Sequence, residues 1–405
     1  MTNTFMDYTA ARDALLQRVV PVGTETLPLA ACYGRVLAED LVAGEDIPAF
    51  DRSPYDGYAF RAADVANASR EQPVTLRITE EIPAGAVPTV PVSAGTAAKV
   101  LTGAPLPPGA DTIINYEVTE FTAETVTLFA PVAEGKNVVR AGDDVKKGAL
   151  LAAAGTVIDA GTAGTLAAQG VARPKVYRVP RVAVLSTGSE LVEAGEALGP
   201  GLIRNANAYT ISGALRAAGL EPVYLGIARD TEDAIMALLE QGLKECDAVI
   251  STGGVSVGDY DLTPAALDRI GAETFVRGVR LKPGMACAYA QREGKLLCAL
   301  SGNPASCITN FYTVALPALR ALAGHRAPLP MEVSVALADP FRKSSPEPRV
   351  LRGSLDLSDG TARMRLARDQ GNVALSATIG WNVVAVIPEG SGPLAAGTVL
   401  KGFII

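Results

Sequence analysis

A chain of 405 residues is too long for one ordinary hydrophobic core, and 48% hydrophobic with 20% charged residues is the balance of a folded, multidomain protein. A net charge of −7 argues against a general nucleic-acid binder, which would carry a basic excess, yet a few local Lys and Arg residues can still hold a small anion. His325 is the only histidine, so no catalytic or metal centre can call on a second one, and acid–base work falls to carboxylates, lysines or bound water.

The segment Met1 to Thr9 has no basic region followed by an apolar core, and the longest weakly polar run, Leu150 to Ala172, is interrupted by Asp159 and several glycines. A cytoplasmic protein that does not enter a membrane is expected. The five cysteines, Cys32, Cys246, Cys287, Cys298 and Cys307, form no C-x-x-C pair and read as buried, reduced thiols.

From about Gly44 to Arg140 the chain is rich in Pro, Gly, Val and Thr and predicts a small, mostly β domain. Within it, Asp51 to Ala59 packs two Asp, one Arg and two Tyr into nine residues, which suits either a ligand loop or a plain Pro-Gly turn. Asp159 to Gly170 reads as one Ala/Gly-rich helix. The segment from about Arg181 to Leu322 alternates short apolar runs with helical patterns, the signature of a mostly parallel sheet with helices on both faces. Strands are expected at Arg181 to Ser186, Pro222 to Ile227 and Asp247 to Ser251. Helices are expected from Asn207 to Ala218, after the N-cap Thr231, from Thr263-Pro264, and from Pro304 to Leu322. Ala286 to Ala290 and Leu296 to Leu300 flank a hairpin turn at Arg292 to Lys295. From Pro328 to Ile405, short strands divided by turns predict a compact β-barrel-like domain.

Each strand of the α/β segment is followed by a polar, Gly-containing loop, and ligands of open parallel sheets bind beyond the carboxyl ends of the strands. The loop Thr252 to Gly258 can aim successive backbone N–H groups at a phosphate, and Ser301-Gly302-Asn303-Pro304 ends where a helix begins. Both also fit ordinary chain reversals. Glu190, Asp230 and Asp261 follow three of these strands; carboxylates beside phosphate-binding backbone suit Mg²⁺, while solvated loop carboxylates are the plain alternative.

The order of motifs resembles the molybdopterin molybdenumtransferase family, which includes the E-domain of gephyrin. The segments carrying the likeness are Asp51 to Ala59, Leu101 to Pro105 with Pro108 to Asp111, Asn137 to Asp144, Thr187 to Glu190, Ile203 to Tyr209, Ser251 to Asp261, Lys282-Pro283-Gly284 and Gly302-Asn303-Pro304. The resemblance implies four parts: an α/β molybdopterin-binding domain from 1–24 and 179–326, a linking domain from 25–43 and 141–178, a β-rich domain at 44–140, and a C-terminal barrel-like domain at 327–405. It also implies a homodimer, and Mg²⁺-dependent insertion of molybdate into adenylylated molybdopterin with release of AMP. Contact with the adenylyltransferase that makes that substrate would follow.

Carried over by position, Asp56, Glu190, Asp230 and Asp261 are the expected catalytic acids, the last three of them as metal ligands. Thr102, the loop residues Gly253, Gly254, Ser256 and Gly258, and Asn303 with Pro304 are expected against substrate. Arg277, Lys282 and Arg352 are expected to supply positive charge. Ser301, Met285-Ala286 and Asn372 depart from the usual family residues near the oxyanion region. The resemblance also brings two rivals: molybdopterin adenylyltransferase chemistry on a similar α/β domain, and a scaffold on the same fold without chemistry. The β domain, the Asp51–Ala59 motif and the C-terminal domain argue against the first, the retained carboxylates and glycine loops against the second.

Overall fold

A computed structural model describes residues 5–255 and 262–405. The chain divides into two compact units, one from the residues up to Glu39, Ala154–Ala160 and Arg173–Ile405, the other from Asp40–Ala153 and Gly161–Ala172.

The first unit is built on a six-stranded sheet in the order Glu221–Ala228, Arg181–Thr187, Ala248–Thr252, Lys295–Leu300, Cys287–Arg292, Glu273–Arg277. The first four strands are mutually parallel, and Cys287–Arg292 runs antiparallel to both its neighbours, joined to Lys295–Leu300 by the hairpin expected at Arg292 to Lys295. Glu293 and Gly294, both at positive φ, make its tight turn. Alternation along Arg181–Thr187 explains the two layers. Val182 and Val184 join a core with helices Tyr8–Leu16 and Asn207–Ala217, while Ala183 and Leu185 face helices Glu232–Glu245 and Thr263–Arg269 on the opposite side. Thr231 caps Glu232–Glu245 by accepting a hydrogen bond from the Ala234 amide, as its sequence position predicts.

The helix expected from Pro304 to Leu322 is not uniform. It runs as Pro304–Asn310, widens into a π segment at Phe311–Ala315 and resumes as Leu316–Leu322 with Pro317 near its start. Five further strands, Glu332–Leu337, Arg349–Asp356, Arg363–Leu366, Val383–Ile387 and Val399–Ile404, close into a barrel around Val335, Leu351, Met364 and Ala385. In the same unit, Thr24–Thr26 pairs antiparallel with Lys175–Tyr177.

The second unit carries a six-stranded sheet in the order Thr112–Asn115, Gly57–Phe60, Thr96–Val100, Val74–Ile82, Thr125–Leu128, Glu120–Phe121. Its two faces bury Tyr58, Phe60 and Leu76 on one side and Ala59, Ile82 and Ile113 on the other. Leu41–Val42 pairs with Leu150–Ala152 in the same unit. All five cysteines are buried and unpaired, and burial lifts the Cys287 thiol to about 12, so these are inert packing groups at neutral pH. Among the described residues no helix is long and apolar enough to cross a membrane.

Candidate active site

In the six-stranded sheet the chain passes outward from Arg181–Thr187 to Glu221–Ala228, then returns past it to Ala248–Thr252. The connecting helices Asn207–Ala217 and Glu232–Glu245 lie on opposite faces. This is a switch point, and the loops leaving the two central strands diverge there to leave a crevice. The register sets the carboxyl ends level, with Thr187 opposite Ala228, Ser186 opposite Thr252, and Thr252 opposite Leu300. A cleft of about 530 Å³ opens at that edge.

Its floor is backbone. Gly253 and Gly254 stand at φ +99° and +61°; a Cβ on Gly253 would lie 2.5 Å from the Thr187 carbonyl oxygen, and one on Gly254 2.7 Å from the Thr263 hydroxyl. Only glycine lets this turn pass so close to the first strand. Two buried polar atoms at the cleft, Thr187 Oγ1 and Asn207 Oδ1, have no hydrogen-bond partner among the described residues. Such atoms cost stability unless a ligand or water meets them. Beneath the floor, Ser186 Oγ bonds Asn205 Oδ1 and Thr252 Oγ1, each at 2.9 Å, which fixes the two central strand ends.

Glu190 and Asp230 line the rim. Asp230 Oδ2 accepts from the Ser189 amide at 2.8 Å while its own amide donates to Ser189 Oγ at 3.1 Å, so the two carboxylate-bearing loops are tied to each other. Gly253, Gly254, Asn303 and Pro304 also line the cleft. Thus six residues expected at the site from sequence converge here. Ser256, Gly258 and Asp261 lie outside the described residues. Among the described residues no three His, Cys, Asp or Glu side chains gather closely enough to hold a metal ion.

The cleft also contains residues not singled out from sequence. Arg204, Asn205 and Asn207 come from the Ile203 to Tyr209 segment, whose motif was the available signal; Asn207 Nδ2 donates to the Gly302 carbonyl at 2.8 Å. Val373 comes from the C-terminal domain, whose loop docks through a bond from the Ala305 amide to the Asn372 carbonyl.

Arg352 supports that loop from within. It is fully buried, and its Nη2 donates to the carbonyls of Gly371 at 3.0 Å and Asp369 at 3.3 Å. Among the described residues its Nε and Nη1 have no partner, and burial holds the guanidinium down to about 10. Lys282 is stitched to the same barrel strand. Its amide donates to the Pro348 carbonyl, its carbonyl accepts from Val350, and its Nζ lies 3.5 Å from Glu347 Oε2. Neither cation is among the cleft-lining residues. Arg277 stands apart on the edge strand, bonded at 2.8 and 3.0 Å to Asp268.

In the second unit, the Asp51–Ala59 segment is braced rather than loose. Asp51 accepts from Arg140 at 2.6 Å and from the Ala141 amide at 2.8 Å. Asp56 Oδ1 accepts from the Thr102 amide at 2.7 Å and hydroxyl at 2.8 Å, which brings these two expected site residues together. The amide first, and then the hydroxyl, holds the Asp56 carboxyl below the usual carboxylate range. In Thr102→Val the amide remains and the hydroxyl is lost. The Asp56 carboxyl should therefore titrate at higher pH than in the wild type, still below an ordinary aspartate. Carbon-detected NMR titration checks this; an unmoved midpoint would mean that the hydroxyl contributes nothing.

A multidomain α/β protein with a glycine-floored ligand cleft at its switch point is the class that this fold and site define. Residues 6–170 match the family described as "MoeA N-terminal region (domain I and II)", and residues 183–321 match "Probable molybdopterin binding domain". The chain is 33% identical over 386 residues to the molybdopterin molybdenumtransferase of Bacillus subtilis (strain 168), covering 94% of this chain and 90% of that one. It is 34% identical over 372 residues to the enzyme of the same name from Staphylococcus aureus (strain Mu50 / ATCC 700699), covering 92% and 89%. The solved molybdopterin biosynthesis moeA protein from Pyrococcus horikoshii OT3 superposes with a TM-score of 0.86 at 30% identity, over 99% of this chain and 100% of that one. The chain belongs to the molybdopterin molybdenumtransferase family, enzymes of molybdenum cofactor biosynthesis.

Proposed function

We propose that this enzyme inserts molybdate into adenylylated molybdopterin and releases AMP, with Mg²⁺ bound at the rim of the cleft. The observation that supports this most is the pairing of a glycine floor and two unpartnered polar atoms with the carboxylates of Glu190 and Asp230. The floor suits a phosphate-bearing substrate, since backbone of this shape lets an anion approach closely.

Glu190 and Asp230, with Asp261, would hold the Mg²⁺. Carboxylate oxygens are the donors that this ion prefers, and Asp230 spends one of its two on the Ser189 amide, leaving the other for a ligand. When bound, the ion would offset the negative charge of the phosphates. The protein's own part is to hold both carboxylate loops in register before substrate arrives.

Lys282 and Arg352 are the proposed holders of molybdate. Val350 donates to the Lys282 carbonyl, and Arg352, two residues along the same strand, lies on the same strand face as Val350. Two cations on adjoining segments, one with unpartnered buried N–H groups, suit a compact oxyanion. Thr102 and Asp56 are further proposed substrate and catalytic residues. The enzyme is proposed to work as a cytoplasmic homodimer that contacts the adenylyltransferase supplying its substrate. AMP release from adenylylated molybdopterin, with molybdate titrated in, tests the reaction.

A further inference from the structure

The segment Lys282-Pro283-Gly284 must present the Lys282 ammonium from a turn that has no regular secondary structure of its own. On the barrel side it is tied by Pro348 and Val350. On the α/β side the Asn310 side chain bonds to it. Asn310 is completely buried, and its Nδ2 donates to the Gly284 carbonyl at 2.6 Å. Its Oδ1 accepts from the hydroxyl of Tyr289, which is also completely buried. The fit is tight, because a Cβ on Gly284 would lie 3.4 Å from Asn310 Cβ.

Asn310 is the last residue of the helix that begins at Pro304 on the cleft, and the π segment starts at the next residue. A widened turn in a long apolar helix is commonly found where a side chain is aimed for function rather than for packing. An amide in this core would be poor packing without both partners, since burying it unpaired costs stability. Here both ends are satisfied, and one of the two partners is the turn that carries Lys282.

We infer that Asn310 is a positioning residue for oxyanion binding, acting through the Gly284 carbonyl to fix Lys282, with Tyr289 orienting its amide. This rests on the reading of Lys282 as a holder of molybdate. Asn310→Leu keeps the branched shape with some added bulk and removes both bonds, while Tyr289→Phe leaves the donor to Gly284 in place.

The test compares molybdate titrations of turnover with AMP binding, in folded protein matched by circular dichroism and melting temperature. Asn310→Leu should raise the molybdate concentration for half-maximal turnover by on the order of tenfold, as expected when a binding group is misplaced by a fraction of an ångström. Turnover at saturating molybdate and AMP affinity should stay close to wild type, and Tyr289→Phe should show a smaller rise. If the leucine variant does not fold, Asn310→Ala removes the same amide without added bulk and carries the same expectation. Lys282→Met is run alongside. Should it raise the molybdate requirement while the Asn310 variants do not, the inference is overturned and the role of Lys282 stands. Equal losses of molybdate and AMP binding in an Asn310 variant would mark a merely structural role and overturn it too. An unaffected Lys282→Met would overturn the reading of Lys282, and the inference with it.

Discussion

Asp230→Asn should lose turnover on the order of 100-fold while keeping its fold, the scale of an electrostatic contribution at a metal-assisted phosphate site. The substitution is nearly isosteric, and an asparagine oxygen can still accept from the Ser189 amide that Asp230 Oδ2 now meets at 2.8 Å. What changes is the charge at the rim of the cleft, beside Glu190. If the two carboxylates hold Mg²⁺, the variant should need more of it, and raising Mg²⁺ should recover part of the lost rate. The measurement is AMP release across a Mg²⁺ titration, with the melting temperature as control. Near-normal release at low Mg²⁺ would remove Asp230 from the metal site.

Arg352→Met should abolish the response of the protein to molybdate without unfolding it. Buried charge is costly, and among the described residues only Nη2 of this guanidinium has partners, the carbonyls of Asp369 and Gly371. The sign of its shift matters. Burial lowers its value to about 10, so the cost of burying the cation is present in full below pH 10 and fades only as pH rises from there towards the ordinary arginine range. Over the neutral range deprotonation gives no relief, whereas a bound oxyanion does. Wild-type protein should therefore melt higher with molybdate, by the equivalent of about 2.7 kcal/mol at a hundredfold excess over Kd. Arg352→Met should melt near the ligand-free wild type and stay there when molybdate is added. A full molybdate-induced rise in the variant would place the anion elsewhere.

How far the sequence revealed this site follows from where its signals lie. Glu190, Asp230, Gly253, Gly254, Asn303 and Pro304 were legible because each follows a short apolar run at the end of a parallel strand, and parallel strands align their carboxyl ends whatever the loops contain. The family fold was likewise legible from motif order. Arg204, Asn205 and Asn207 were not placed in the cleft, since their segment has no glycine turn and reaches the edge only through the pairing of Leu191–Val192 with Ile203–Arg204. The edge strand Glu273–Arg277 was not foreseen because its five residues alternate too briefly to stand out. The π segment gives no sequence sign, as Phe311 to Ala315 continue the apolar helical pattern without a break. Burial of Arg352 could not be read either: an arginine in a strand ordinarily turns to water, whereas this one is buried with its Nη2 bonded to the loop from Asp369 to Gly371.

The proposed reaction is tested most directly by supplying the purified enzyme with adenylylated molybdopterin and Mg²⁺, then measuring AMP with and without molybdate. AMP should appear only when molybdate is present, in amounts matching the molybdenum cofactor formed. Release at the same rate without molybdate, or no release with it, would contradict the proposed reaction.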